Sequence, residues 1–138
     1  MTSDIETRVR ESFARQPLMT TIGARVEVVQ SGHVELSLAF RGDLTQQNGF
    51  LHAGTIAALA DSACGYAALT MMPPGSDVLS IEFKINMLAP ASGEALIARA
   101  DVLRAGRTVV VCRADVYARK SGDEKLVAAM QGTMAVRQ

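Results

Sequence analysis

The sequence predicts an α+β fold, an antiparallel sheet of five to six strands curled around one long central helix, and three observations lead there. Residues 52–71 form an almost unbroken apolar run rich in Ala and Gly and ended sharply by Pro73-Pro74-Gly75. Nearly everything after it alternates with the period of a strand, in segments 77–88, 94–104, 108–118 and 125–136. The links between these segments are short, which implies antiparallel pairing of successive strands.

The elements follow in order. Ile5, Val9 and Phe13 recur at helical spacing and suggest a short amphipathic helix ending before Pro17. Residues 24–28 and 33–38 alternate on either side of Ser31-Gly32, the mark of a β-hairpin. Residues 41–49 are polar, contain two glycines and read as a loop. The turns among the later strands fall at 89–93, Ala105-Gly106 and Ser121-Gly122-Asp123. A single antiparallel sheet has one apolar face to cover, and only the helix at 52–71 is long and apolar enough to cover it. That helix is apolar nearly all round, as a helix buried on every side must be, and a chain of this size needs help from a second subunit to cover it. With no repeat, low-complexity stretch or linker, residues 1–138 read as a single domain.

Composition narrows the function. About half of the 138 residues are apolar and 20% are charged, and the formal net charge is zero, which argues against nucleic acid as a partner. The two cysteines, Cys64 and Cys112, have neither CxxC nor metal-ligand spacing, and read as free buried thiols in a reducing, cytoplasmic compartment. His33 and His52, the only histidines, gather no cluster of ligands, so no metal or other cofactor is expected. The first sixteen residues mix acids and bases without an apolar core and are no secretory signal. The run at 49–72 is not a membrane span, because it carries His52, Asp61 and Ser62 and has no basic flank.

Asp61 is the residue that needs a reason. It lies in the middle of the apolar helix, and its helical neighbours Ala57, Ala58, Cys64, Gly65 and Ala68 are all small. Such a face leaves room for a ligand or for another backbone, and a carboxylate there either serves chemistry or bonds a nearby strand. His52 opens the same helix, where a lone histidine ordinarily ties its ring to a backbone carbonyl. Nine residues separate it from Asp61, ~13 Å along the axis, and the two point to opposite faces. A site using both must therefore be composite, each subunit lending a different end of its helix. The helix start also offers the Ala53 and Gly54 amides, with the unpaired N–H groups and partial positive charge that hold a carbonyl oxygen and the oxyanion formed from it. Gly54 has no side chain to block the approach.

The segment from Gln46 through Asn48, Gly49 and His52-Ala53-Gly54 to Asp61 resembles the signature of the PaaI-like hotdog thioesterases, named for a phenylacetate-degradation member. Residues 80–90 resemble the strand that follows the helix in that family, and 102–108 its next hairpin, so the likeness runs from about Gln46 to the C-terminus. The chain departs from the family's H-G-G by having Ala53 for the first glycine, and it has Gln46 where many members have Asn.

The resemblance implies a hotdog fold and hydrolysis of an acyl-CoA thioester, with an aryl or a medium- to long-chain acyl group. Asp61 matches the catalytic acid, as general base or nucleophile. The Ala53 amide would polarise the carbonyl, Gln46 would assist it, Ser80 would help place the water, and His52 would support the helix start. Asn48, Gly54 and Gly65 fall at substrate-lining positions, and Arg104 and Arg107, at a predicted hairpin end, are candidates for the CoA phosphates beside the reading of them as solvated charges. Arg119 and Lys120 share that choice. The seven methionines fill core gaps or shape an adaptable acyl pocket. The family also implies a homo-oligomer, a dimer or a tetramer of paired dimers. Two alternatives keep the fold: a non-catalytic acyl-CoA-binding protein and a hotdog hydratase or dehydratase, whose His and acid pairing fits Gln46, His52 and Asp61 less well.

Overall fold

A computed structural model describes residues 4–138; Met1–Ser3, the start of the segment read as lacking a secretory signal, lie outside the described residues. Two short helices, α1 (Asp4–Ala14) and α2 (Pro17–Ile22), lead into strands β1 (Arg25–Gln30) and β2 (His33–Ala39). A single 3-10 turn at Gly42–Leu44 precedes the long helix α3 (Ala53–Leu69). Strands β3 (Asp77–Met87), β4 (Ala95–Ala105), β5 (Val109–Lys120) and β6 (Asp123–Arg137) complete the chain. The six strands form one sheet in the order β1-β2-β4-β5-β6-β3, antiparallel throughout.

Alternation builds the inner face. Val34, Leu36 and Leu38 on β2, Leu96, Ala98 and Ala100 on β4, and Val110, Cys112, Ala114 and Val116 on β5 are buried, while their neighbours in sequence, apart from the buried Ser37 and Ile97, are more exposed. The sheet curls until β2, β3, β4, β5 and β6 all touch α3. Small residues make that approach possible: Ala60, Ala63, Cys64, Ala67 and Ala68 are wholly buried. From Ala63 to Leu69 the helix is covered by its own chain, partly by α1, whose Phe13 ring lies 6.0 Å from that of Tyr66. The part left open is the N-terminal half, where Ala53 and Gly54 are exposed and Ala57, Ala58, Asp61 and Ser62 are half-buried.

Helix α1 ends at Ala14, before Pro17 as expected, and Pro17 then starts α2, because proline's fixed φ and missing N–H suit the first turn of a helix. One expectation about the elements needs correction. Strand β3 does not pair with β4, its successor; it pairs with β6 and forms a free edge. The link at 88–94 is a crossover rather than a hairpin turn. Pro90 withholds a donor, and the neighbouring amides bind elsewhere: Leu88 and Ala89 donate to the Val127 carbonyl at 2.8 and 3.3 Å, and Glu94 donates to Arg119 at 2.8 Å. Gly93 (φ +124°) lets the link pass, since a Cβ there would collide with the Arg119 carbonyl oxygen.

Candidate active site

His52 is the N-cap of α3, and its Nδ1 accepts a hydrogen bond of 2.7 Å from the Gly54 N–H. The ring therefore does the work of a capping Ser or Asp, taking up one of the helix's unpaired donors. This differs from the expected bond to a carbonyl, and it fixes the ring proton on Nε2. Gly54 makes the cap possible, because a Cβ at that position would stand only 3.0 Å from Nδ1. With the Gly54 amide engaged by His52, the Ala53 amide is the donor at the helix start that has no partner among the described residues. It is exposed.

The loop before the helix is pinned by a bridge between Thr45 and Leu51. Gln46 N–H donates to Phe50 at 2.8 Å, Gly49 N–H donates to Gln46 at 3.0 Å, and the Asn48 amide donates to Gln46 Oε1. The amide oxygen of Gln46 is thus occupied, while its NH₂ has no partner among the described residues. Gln46, Asn48 and Ala53 line one cavity of about 520 Å³, together with apolar Phe50, Ile56 and Met87.

Asp61 lies elsewhere. Its Oδ1 accepts a 2.7 Å hydrogen bond from Ser80 Oγ, and both residues line a second cavity of about 450 Å³ that also includes Gly65. Ser80 faces the helix because it lies two residues after the core-packed Val78 and opposite the buried Met134 of β6. Gly65 keeps the space open; a Cβ there would meet only Val78 Cγ1, at 3.9 Å. The two cavities share no lining residue. A single chain thus carries a donor half and a carboxylate half, set apart along one helix.

Sequence reasoning overlooked four side chains of the carboxylate half. Ser62 donates to Gln16 Oε1 at 3.1 Å, Gln16 Nε2 donates to Tyr66 Oη at 3.0 Å, and Ser12 Oγ lies 3.3 Å from the same phenol. Ser62 and Tyr66, polar groups in a largely apolar helix, were the available signal. The candidate phosphate ligands divide. Arg104 and Arg107 are exposed, without an ion pair among the described residues, and line neither cavity. Their hairpin is held at the Asp77–Ser80 end of the sheet, where Val136 N–H donates to Thr108 at 2.9 Å. Arg119 is paired with Glu124 at 2.9 Å. Burial raises both thiol pKa values, Cys112 to about 12 and Cys64 higher still, so neither is a nucleophile. No helix among the described residues is long and apolar enough to cross a membrane.

The curled sheet around one central helix defines a hotdog fold, and the solved structures of similar shape agree. A thioesterase family protein from Silicibacter pomeroyi superposes with a TM-score of 0.95 at 47% identity, covering 96% of this chain and 98% of that one. The PaaI protein of the E. coli phenylacetic acid degradation operon matches in fold alone, with a TM-score of 0.88 at 18% identity over 97% of this chain and 94% of that one. Among curated relatives, a protein named as an esterase from Halobacterium salinarum is 34% identical over 104 residues, 72% of this chain and 68% of its own. A 1,4-dihydroxy-2-naphthoyl-CoA hydrolase from Listeria monocytogenes is 27% identical over 120 residues, 87% of this chain and 95% of its own. The sequence profile of the thioesterase superfamily matches residues 48–125. The chain belongs to the thioesterase superfamily and is a hydrolase by that kinship.

Proposed function

We propose that this protein hydrolyses acyl-CoA thioesters at sites shared between two copies of the chain. The observation that carries the reading is the separation of a carboxylate held by a serine, Asp61 and Ser80, from the unengaged donors of Ala53 and Gln46. A reacting carbonyl must lie within ~3 Å of both an attacking group and its oxyanion donors. A two-fold axis meets that demand by bringing one copy's Asp61 cavity to the other's helix start, twice over. The free edge strand β3 supports such an axis: its Leu79, Ile81, Phe83 and Met87, with Leu88 beyond, are exposed apolar side chains next to the open half of α3. A dimer, or a tetramer of paired dimers, covers them.

In this reading the thioester oxygen accepts from the Ala53 N–H and the Gln46 NH₂, aided by the positive end of α3. Asp61 either takes a proton from the attacking water or attacks the carbonyl carbon itself, giving an anhydride that water then opens. Ser80 holds Oδ1 and leaves Oδ2 to act. The C–S bond breaks and the sulfur leaves as CoA thiol; by the first route the water oxygen ends in the free acid, and by the second, with water opening the anhydride at the aspartyl carbonyl, it ends in Asp61 while the acid leaves with an original Asp61 oxygen. Single turnover in ¹⁸O-water separates the routes, since label enters Asp61 only by the second. His52 keeps Gly54 and the helix start in place, and Arg104 and Arg107 offer free guanidinium groups to the CoA phosphates. The Listeria relative, named for a CoA thioester, supports this substrate class over other esters.

Subunit mixing tests the proposal. Asp61→Asn chains are combined with chains carrying Gln46→Ala and Ala53→Pro, both inactive alone. Thiol release from acyl-CoAs should return in mixed dimers, each with one intact site. No recovery despite proven exchange, or full activity in a monomer, rules the shared site out. Enoyl-CoA hydration without thiol release would instead establish a hydratase.

A further inference from the structure

Ser80 Oγ stands between two partners. Asp61 Oδ1 lies 2.7 Å away on the helix side, and the Met134 sulfur lies 3.3 Å away on β6. A hydroxyl has one proton to give. The carboxylate takes it, because a charge-assisted bond is roughly twice as strong as a neutral one and a thioether is a weak acceptor. What the sulfur supplies is a wall. Ser80 is exposed, and a short side chain on an edge strand can turn to water through any of its staggered positions. With Oγ turned away, nothing would distinguish Oδ1 from Oδ2, since the terminal torsion of an aspartate is broad and nearly two-fold.

Met134 is itself held in place. It is fully buried and pairs with Ser80 of β3 on one side and with the buried Val110 of β5 on the other. Methionine is an adaptable core side chain, so a fixed sulfur needs a fixed seat. Gly132 provides it. A Cβ at 132 would lie 3.2 Å from the Met134 methyl, while its other near neighbours, the Glu82 carbonyl oxygen and Phe83 Cβ, stand at an ordinary 3.5 Å. Residues two apart on a strand share a face, so the methyl of Met134 takes the space that a side chain at 132 would fill. Gly132 lies inside β6 and has no positive φ to require a glycine. A glycine in such a place weakens the strand and marks the close approach of another group.

We infer that Met134, seated in the gap at Gly132, is a positioning residue for the Ser80–Asp61 pair: it backs Ser80 Oγ against Oδ1 and so keeps Oδ2 turned to the substrate. The inference rests on the thioesterase reading above and adds two residues to the carboxylate half of the same site. Neither touches the reacting carbonyl; both act through Ser80.

The experiment is the single-turnover rate of thiol release, with thermal melting beside it, for Met134→Leu and Gly132→Ala, each made in the wild-type chain and in Ser80→Ala. Benzoyl-CoA, hexanoyl-CoA and palmitoyl-CoA are the probes, and the one that the wild-type chain cleaves fastest is used throughout. Met134→Leu nearly keeps the volume and removes the sulfur. Gly132→Ala keeps the sulfur and displaces it, and replacing a strand glycine by alanine ordinarily holds or raises Tm. Each should slow the wild-type chain by about 3-fold to 30-fold, within the range of coupling between residues in contact. In Ser80→Ala neither should slow the reaction further, a pattern that a general packing defect does not produce. Unchanged rates in both variants overturn the inference, and so does equal slowing with and without the Ser80 hydroxyl; the thioesterase stands in either case. If Met134→Leu does not fold, Gly132→Ala carries the test alone, since its added atom closely meets only the mobile end of one side chain. If Ser80→Ala has no measurable rate, Gly132→Ala again decides: slowing at undiminished Tm supports the seat, and slowing in step with a lowered Tm refutes it. Absence of thiol release from aryl-, medium- and long-chain acyl-CoA alike in the wild-type chain overturns the thioesterase reading, and the positioning role falls with it.

Discussion

Ser80 Oγ donates to Asp61 Oδ1 across 2.7 Å, joining the edge strand to the middle of the central helix. The bond orients the carboxylate and satisfies one of its oxygens. Asp61→Asn keeps the shape and removes the charge, so kcat should fall by about 100-fold to 10,000-fold, the usual contribution of a general base, with the circular dichroism spectrum unchanged. Ser80→Ala should fall less far, since orienting a carboxylate is a smaller task than being one. Near-normal kcat in the asparagine variant defeats the role given to Asp61, and an equal loss in the alanine variant defeats the ranking.

Ala53→Pro isolates a single N–H. Position 53 is the first residue of α3, where proline is well tolerated, and His52 already has φ −62° and ψ 140°, a conformation that suits the residue before proline. The helix should persist while kcat drops by about 100-fold to 1,000-fold, as when one oxyanion donor is lost. Steady-state kinetics beside thermal melting checks it; a stable and fully active variant means that the Ala53 amide does not touch the substrate.

For His52, the cap predicts a stability effect before a catalytic one. His52→Ala should lower unfolding free energy by about 1 kcal/mol, the ordinary worth of an N-cap, and still hydrolyse substrate measurably. His52→Asn, which can accept from the Gly54 N–H in the same way, should regain most of the lost stability. Urea unfolding and thiol release together decide between a cap and a direct participant; a folded alanine variant as inactive as Asp61→Asn identifies the latter.

On the outer face, Glu124 accepts from Arg99 and Arg119 at 2.7 and 2.9 Å, and the two guanidinium groups hold its pKa down to about 2. A carboxyl that is more acidic folded than unfolded contributes stability above its unfolded pKa, about 4.3, and loses it as the pH falls toward its folded value. Glu124→Gln should therefore cost stability at neutral pH and progressively less below pH ~4. Urea midpoints of both proteins between about pH 2 and pH 7 give the comparison; a gap that widens on acidification contradicts the assignment.

The parts legible in the sequence were those governed by local rules. The strands and the helix ends came from alternation, Gly-containing turns and the Pro73-Pro74 stop, and Asp61 stood out as a charge among alanines. The pairing of β3 with β6 was not legible, since a link with Pro90 looks like a turn until the bonds of its neighbours to Val127 and Arg119 are known. Nor was the direction of the His52 bond, for the pattern H-A-G does not say that Gly54 is small in order to seat an imidazole. Ser12 and Gln16 were hidden most thoroughly. On an amphipathic helix and its exit they read as solvent-facing, and only the docking of α1 on α3 turns them toward a cavity.

Strand β6 contributes no candidate catalytic group, yet both halves lean on it. Near one end the Met134 sulfur lies 3.3 Å from Ser80 Oγ, and near the other the Val127 carbonyl holds Leu88 and Ala89 beside the donor cavity. The register of β3 on β6 is thus a common ruler: a slip along it moves Ser80 and the wall of the donor cavity together. It also sets a clock. β6 follows every other strand in the chain, so on the ribosome neither half can take its final shape until those last residues have emerged, and the edge of β3 stays unpaired on both sides until then.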